Sequence, residues 1–141
     1  MRVAAFGRIV PFVVLSVLLL AACSSSNKPS VTVGLGETFT IGVGKTAQIT
    51  GEDLLVTFDE VIGDSRCAEN VTCVWEGVAA SKLTIEYQGE TYTIVLNQGG
   101  GTETASTQFA GYEIVHRLDP YPRAGETIDP KDYRLTMSFA R

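Results

Sequence analysis

Apolar side chains recur at every second position through most of this chain, and no segment beyond residue 23 carries the 3.6-residue apolar stripe of a helix. Phe39, Ile41 and Val43 alternate with Thr38, Thr40 and Gly42, and Ala47 and Ile49 follow Gly44-Lys45. Leu54, Val56 and Phe58 alternate with Leu55, Thr57 and Asp59 until Val61 and Ile62 break the phase, which predicts a bulge or a strand end there. A hairpin is expected around Gln88-Gly89-Glu90, with Leu83, Ile85 and Tyr87 on one face beside Tyr92, Ile94 and Leu96. Gly111 to Leu118 and Tyr133 to Phe139 supply two further strands, the last with Tyr133, Leu135, Met137 and Phe139 in register. Gly, Asp and Asn punctuate these runs at short spacing. The fold class that follows is all-β, a single antiparallel sandwich or barrel-like domain of about seven strands.

The first residues follow a different grammar. Arg2 and Arg8 precede an apolar run from Ile9 to Leu20, interrupted by Pro11 and Ser16, and Ala21-Ala22-Cys23 closes it. A charged start, an apolar centre and small residues before a cut make a signal peptide, and the run is too short for the roughly 20 apolar residues of a spanning helix. Leu20-Ala21-Ala22-Cys23 resembles the lipobox of bacterial lipoprotein precursors. That resemblance implies cleavage before Cys23 and diacylglycerol in thioether linkage on it, with the domain held outside the cytoplasm at the cell membrane or outer membrane. Two or more acyl chains on one residue anchor stably where one does not. The alternative, an ordinary secretory cut near Ala22, leaves Cys23 as a spare thiol. Ser24 and Ser25 after the lipidated cysteine, with no Asp in first place, permit outer-membrane sorting.

Residues 1–22 are thus read as signal peptide, 23–36 as the lipidated N-terminus and a Ser-rich tether, and 37–141 as the β domain. Removing residues 1–22 takes two arginines and no acid from 11 cations and 16 acids, so the balance becomes 9 − 16 = −7. No basic stripe is present, which argues against nucleic acid. The same charge leaves the lipid anchor, not electrostatic adhesion, to keep the domain at a membrane.

The chain has three cysteines. With Cys23 acylated, Cys67 and Cys73 remain as a pair that should oxidise outside the cytoplasm. The loop so closed, Ala68 to Thr72, sits in Asp64-Ser65-Arg66-Cys67-Ala68-Glu69-Asn70-Val71-Thr72-Cys73-Val74-Trp75-Glu76-Gly77 with the only tryptophan. Trp75, two residues after Cys73, is expected to share its face and pack against the bridge. Arg66 is expected to form a bidentate pair with a neighbouring acid and fix the loop base. The tip, Glu69, Asn70 and Val71, is the candidate partner contact, and Tyr121, between Pro120 and Pro122, is an expected exposed second one. The stretch also resembles a family of small exported bacterial proteins, many of them lipoproteins, that carry Asp-Ser-Arg-Cys-Pro, a spacer, and Cys-Val-Trp-Ala-Gly. Asp64, Ser65, Arg66, Cys67, Cys73, Trp75 and Gly77 match, whereas Ala68 replaces the usual proline and Glu76 the usual alanine. The likeness covers this loop and loosely the strand order after it, and it implies class and compartment without a mechanism.

Catalytic and metal-binding patterns are weak. Two cysteines and the distant His116 do not make a structural zinc site, and the acids near Arg66 lack the Asp-x-Asp-x-Asp spacing of a calcium loop. His116 shares a face with Ile114 and Leu118 and reads as a half-buried histidine, no serine sits in a nucleophile elbow, and Asp59 and Glu60, adjacent on a strand, are expected on opposite faces. Gln98-Gly99-Gly100-Gly101-Thr102 lacks the lysine and helix of a phosphate loop and is expected to be a mobile connection. Asn70-Val71-Thr72 fits the glycosylation pattern but lies in a chain of bacterial type. No cofactor and no metal are therefore expected. The function expected is a non-enzymatic binding or scaffold module of the cell envelope, with an envelope protein or polymer as partner. A proteinase-inhibitor-like protein using the Cys67/Cys73 loop and a small envelope hydrolase resting on His116 are the alternatives.

Overall fold

The computed structural model describes residues 28–141. Cys23 and the lipobox-like residues 20–22 lie outside the described residues, as do Ser24 and Ser25. Among the described residues no helix is long and apolar enough to cross a membrane.

Among the described residues the alternation becomes nine strands: β1 (Val31–Gly34), β2 (Phe39–Gly42), β3 (Lys45–Thr50), β4 (Leu54–Asp64), β5 (Val78–Tyr87), β6 (Glu90–Gly99), β7 (Ala105–Phe109), β8 (Tyr112–Asp119) and β9 (Arg134–Ala140). They form a two-sheet sandwich, one sheet in the order β1-β3-β4-β5-β6 and the other β2-β9-β8-β7. The inward positions of the pattern fill the space between the sheets. Phe39 and Ile41 of β2, Val56 and Phe58 of β4, Leu83 and Ile85 of β5, and Leu135, Met137 and Phe139 of β9 are all buried. Burying each such side chain contributes roughly 1.5 to 3 kcal/mol, so these residues are committed to the core. Phe139 stacks on Phe39 with ring centroids 6.3 Å apart and meets Tyr112 edge-on at 6.3 Å.

Four expectations change. Residues 31–34, assigned to the tether, are strand β1, paired in parallel with β3 through Val31↔Ala47 to Gly34↔Thr50. Gly36 donates its N–H to the Phe139 carbonyl at 2.8 Å, and Ser30 donates its own to Thr46 at 2.7 Å. Four residues have too little apolar surface to fold alone, and only the free edge of β3 makes them a strand. With short strands of this kind counted, the total rises above the expected seven. The hairpin keeps its expected faces, with Leu83↔Ile94 and Ile85↔Tyr92, but Tyr87 already pairs with Glu90, so the turn is Gln88-Gly89 alone.

The fourth change concerns Asp59 and Glu60. The register of β4 on β5 slips between Phe58 and Glu60 and again between Val61 and Gly63, so the predicted irregularity is a pair of bulges. Thr84 donates to Asp59 at 2.8 Å and Lys82 pairs with Glu60 at 3.2 Å. Thr84 and Lys82 are two apart on one strand and share a face, so the bulge turns both carboxylates outward instead of onto opposite faces.

Candidate functional site

Thirteen residues connect Asp64 at the end of β4 to Val78 at the start of β5. The ladder continues into this connection: Ser65 N–H donates to the Val78 carbonyl at 2.9 Å and Cys67 N–H to the Glu76 carbonyl at 2.8 Å. The Cys67–Cys73 disulfide then closes the expected loop, with Cα atoms 5.9 Å apart. A bridge of this kind typically stabilises by about 2–4 kcal/mol, through restriction of the unfolded chain on the entropic account.

Arg66 fastens the base of the loop, and it does more than the sequence implied. Its side chain is fully enclosed. Nε donates to Asp64 Oδ1 at 2.8 Å and Nη2 to Asp64 Oδ2 at 2.6 Å, which is the expected bidentate pair. Nη1 donates to the Leu118 carbonyl at 2.8 Å and Nη2 also to the Pro120 carbonyl at 3.0 Å, so one guanidinium joins the end of β4 to the end of β8. Burial pushes the Asp64 carboxyl up, but the hydrogen bonds and charge of Arg66 and the Tyr133 hydroxyl outweigh it and hold the group below its ordinary value.

The two candidate contacts are brought together. The Glu69 carboxylate pairs with Arg123 at 3.2 Å, Glu69 N–H donates to the Pro122 carbonyl at 3.1 Å, and Asn70 Oδ1 accepts from Ala124 N–H at 2.8 Å. All three tip residues nevertheless stay exposed, Val71 at 48 %. Tyr121 is half-buried, contrary to the exposed position expected between two prolines. Its ring lies over the Arg66 guanidinium at 4.7 Å and its hydroxyl accepts from Gly101 N–H at 3.0 Å. Trp75 also departs from expectation. It is 80 % exposed and Val74 is 100 % exposed. Residues 74–77 are not strand, so the alternation that placed Trp75 on the face of Cys73 does not operate there.

The glycine run, expected to be a mobile connection, is tied to the same loop. Gly100 N–H donates to the Gly77 carbonyl at 2.9 Å, and a Cβ on Gly100 would lie 1.8 Å from the Glu76 carbonyl oxygen. Gln98 is buried beneath it, donating to the Thr102 and Glu103 carbonyls at 3.0 and 3.4 Å and accepting from Leu118 N–H at 2.7 Å. Sequence reasoning passed over Gln98, yet it follows Ile94 and Leu96 in phase. A polar residue in an inward position must find partners.

A cleft of about 510 Å³ opens between the disulfide loop, the glycine turn and the proline turn. Glu69, Glu76, Glu103 and Asp119 line it with Arg117 and Tyr121. Among the described residues no group of three or more His, Cys, Asp or Glu is placed to hold a metal ion. The chemistry on offer is anionic and hydrogen-bond-accepting, beside an apolar projection.

His116 does not line this cleft. It faces inward from β8 at 2 % exposure, its Nε2 has no hydrogen-bond partner among the described residues, and burial pushes its pKa down to about 4. Because the unfolded chain binds the proton near 6.5, stability contributed by the neutral ring is complete above that pH. It is lost as pH falls towards 4, by up to about 3 kcal/mol. His116→Leu is expected to flatten the dependence of the urea midpoint between pH 7.5 and 4.5 while leaving stability at pH 7.5 equal or higher. Equal slopes in the two proteins would contradict this account of the histidine.

The chain matches no protein-family model, no curated protein and no solved structure.

Proposed function

We propose that this protein is a lipid-anchored, non-enzymatic binding or scaffold module outside the cytoplasm, and that its partner surface is the disulfide loop with the adjoining cleft. The observation that carries the reading is the contrast within one loop. Its base and tip are fastened by a bridge, a buried arginine and three contacts to the proline turn, yet Val74 and Trp75 project into solvent at 100 % and 80 % exposure. Large apolar side chains on a preorganised support bind with little ordering cost, and aromatic anchors carry much of the energy of protein interfaces. The Cys67–Cys73 bridge accords with an oxidising compartment, as the signal peptide and lipobox do.

The alternatives fit less well. A proteinase-inhibitor loop must enter a cleft with its tip, whereas Glu69 and Asn70 are tied down onto residues 122–124. A hydrolase resting on His116 would need that ring to meet substrate, and it is enclosed between the sheets.

The test is photocrosslinking in cells with the full-length lipoprotein. An aromatic crosslinking side chain at position 75, which keeps a ring in place of the indole, is expected to capture a discrete partner that the same group at Thr50, at the far end of the sandwich, does not. Indistinguishable capture from the two positions would remove the loop as the partner surface.

A further inference from the structure

Resting on the binding-module reading, we infer that the occupant of this surface is a basic polypeptide segment, a Lys- or Arg-bearing stretch of an envelope protein that lies along the cleft and packs on Val74 and Trp75. Two of the four carboxylates of the cleft are already neutralised. Asp119 pairs with Arg117 at 2.8 Å and Glu69 with Arg123 at 3.2 Å. Glu76 and Glu103, the other two carboxylates of the cleft, have no cationic partner within ion-pair distance among the described residues. Their surplus negative charge lines an open cleft of about 510 Å³, broad enough for an extended segment to lie along. Concavity focuses the field, and the nine cations and sixteen acids of residues 28–141 extend the same sign over the domain.

Trp75 supplies the second half of the match. Neither it nor Val74 lines the cleft itself, but it immediately precedes Glu76, which does, and the two are the most exposed large apolar side chains among the described residues. An indole face attracts guanidinium and ammonium groups as well as aliphatic stems, so a basic side chain finds both a carboxylate and an aromatic surface in adjacent residues. A neutral saccharide would use the indole but leave the two carboxylates without a counter-charge. An anionic lipid surface would be repelled. A basic segment uses all the features together, and charge complementarity would raise its rate of encounter and its specificity.

Trp75 is the only tryptophan of the chain, so intrinsic fluorescence reports on this position alone. The full-length processed lipoprotein in neutral detergent is titrated with hexa-arginine amide, hexa-lysine amide and a hexamer of N-acetylglucosamine. The basic peptides are expected to give a saturable change that weakens about ten-fold between low salt and about 0.3 M. The double variant Glu76→Gln/Glu103→Gln is expected to weaken binding about ten-fold, and Glu86→Gln/Glu113→Gln, which removes the same charge from strands away from the cleft, by less than about two-fold. Calorimetry with Trp75→Ala should show the same loss as the cleft variant. No saturable response, a response indifferent to salt, equal weakening by the two double variants, or a response to the saccharide alone would each overturn the inference. Partner capture through position 75 without basic-peptide binding would overturn it while the binding-module reading stands. Failure of both would remove both.

Discussion

Arg66→Met is expected to destabilise the fold by about 3–5 kcal/mol, the range for removing one partner of a buried ion pair. For a domain of this size that is a fall in melting temperature of about 15 °C. Methionine replaces most of the volume, so the loss is electrostatic. It strands the Asp64 carboxylate, whose side chain is 7 % exposed, and frees the Leu118 and Pro120 carbonyls that Nη1 and Nη2 now satisfy. Arg66→Lys is expected to recover only the smaller part, because an ammonium cannot bond both carboxylate oxygens and two carbonyls in one plane. Asp64→Asn in the methionine background should recover more, since it removes the unpaired charge.

The pH dependence gives this prediction a second reading. In the wild type the Asp64 carboxyl lies below its ordinary value of 3.8, so its stabilisation is present above that pH and lost as pH falls through the lowered value. Without the guanidinium, burial, the largest influence, is opposed only by the backbone N–H of residue 66 and the Tyr133 hydroxyl, so the carboxyl is expected to rise. The variant's folded state then binds the proton more tightly than its unfolded chain, and its deficit against wild type should narrow as pH falls from 7 to about 4.5. Urea unfolding of both proteins at the two pH values measures it. A deficit below about 1 kcal/mol at pH 7 would mean that the clamp contributes no more than an exposed pair.

Gly77→Ala is expected to cost at least about 3 kcal/mol, although it adds one methyl group. Gly77 has φ +71°, where an L side chain is strained by about 1–2 kcal/mol. Its Cβ would also lie 1.8 Å from the Ser65 carbonyl oxygen and 2.5 Å from its carbon. Backbone atoms cannot swing aside as a flexible side chain does. Relief requires residues 65–67 to separate from 76–78, at the expense of the Ser65–Val78 and Cys67–Glu76 hydrogen bonds and the Gly100–Gly77 bond beside them. Gly44→Ala is the control: φ is +73° but nothing lies within 4 Å of the added carbon, so only the conformational strain is expected. Denaturant midpoints that put the two variants within about 0.5 kcal/mol of each other would show that the close approach to Ser65 carries no weight. The same contact explains why a glycine closes the Cys-Val-Trp-Glu-Gly stretch: the returning chain crosses Ser65 with no room for a side chain.

The parts of this molecule legible in its sequence are those that depend on a few consecutive residues. Alternation over Tyr133, Leu135, Met137 and Phe139 decides which side chains face inward whatever sheet the strand joins, and those residues are buried. The pairing of Cys67 with Cys73 and the Arg66–Asp64 fork lie within one short loop, where few arrangements compete. Residues whose surroundings come from distant segments were misread for the complementary reason. Val31–Gly34 are a strand because β3 has a free edge. Asp59 and Glu60 share a face because β4 slips on β5, and Tyr121 is half-buried because Arg66 and Gly101 reach it across more than 50 and 19 intervening residues respectively. Trp75 reversed its expected place for lack of a strand to give it a face. The all-β class, the inward-facing residues and the stapled loop were therefore determined by the sequence itself, since local patterning and short-range bonding suffice for them. The cleft, its unpaired carboxylates and the projection of Val74 and Trp75 were decided by tertiary structure, because a concave surface exists only once the ends of β4, β6 and β8 have been packed side by side.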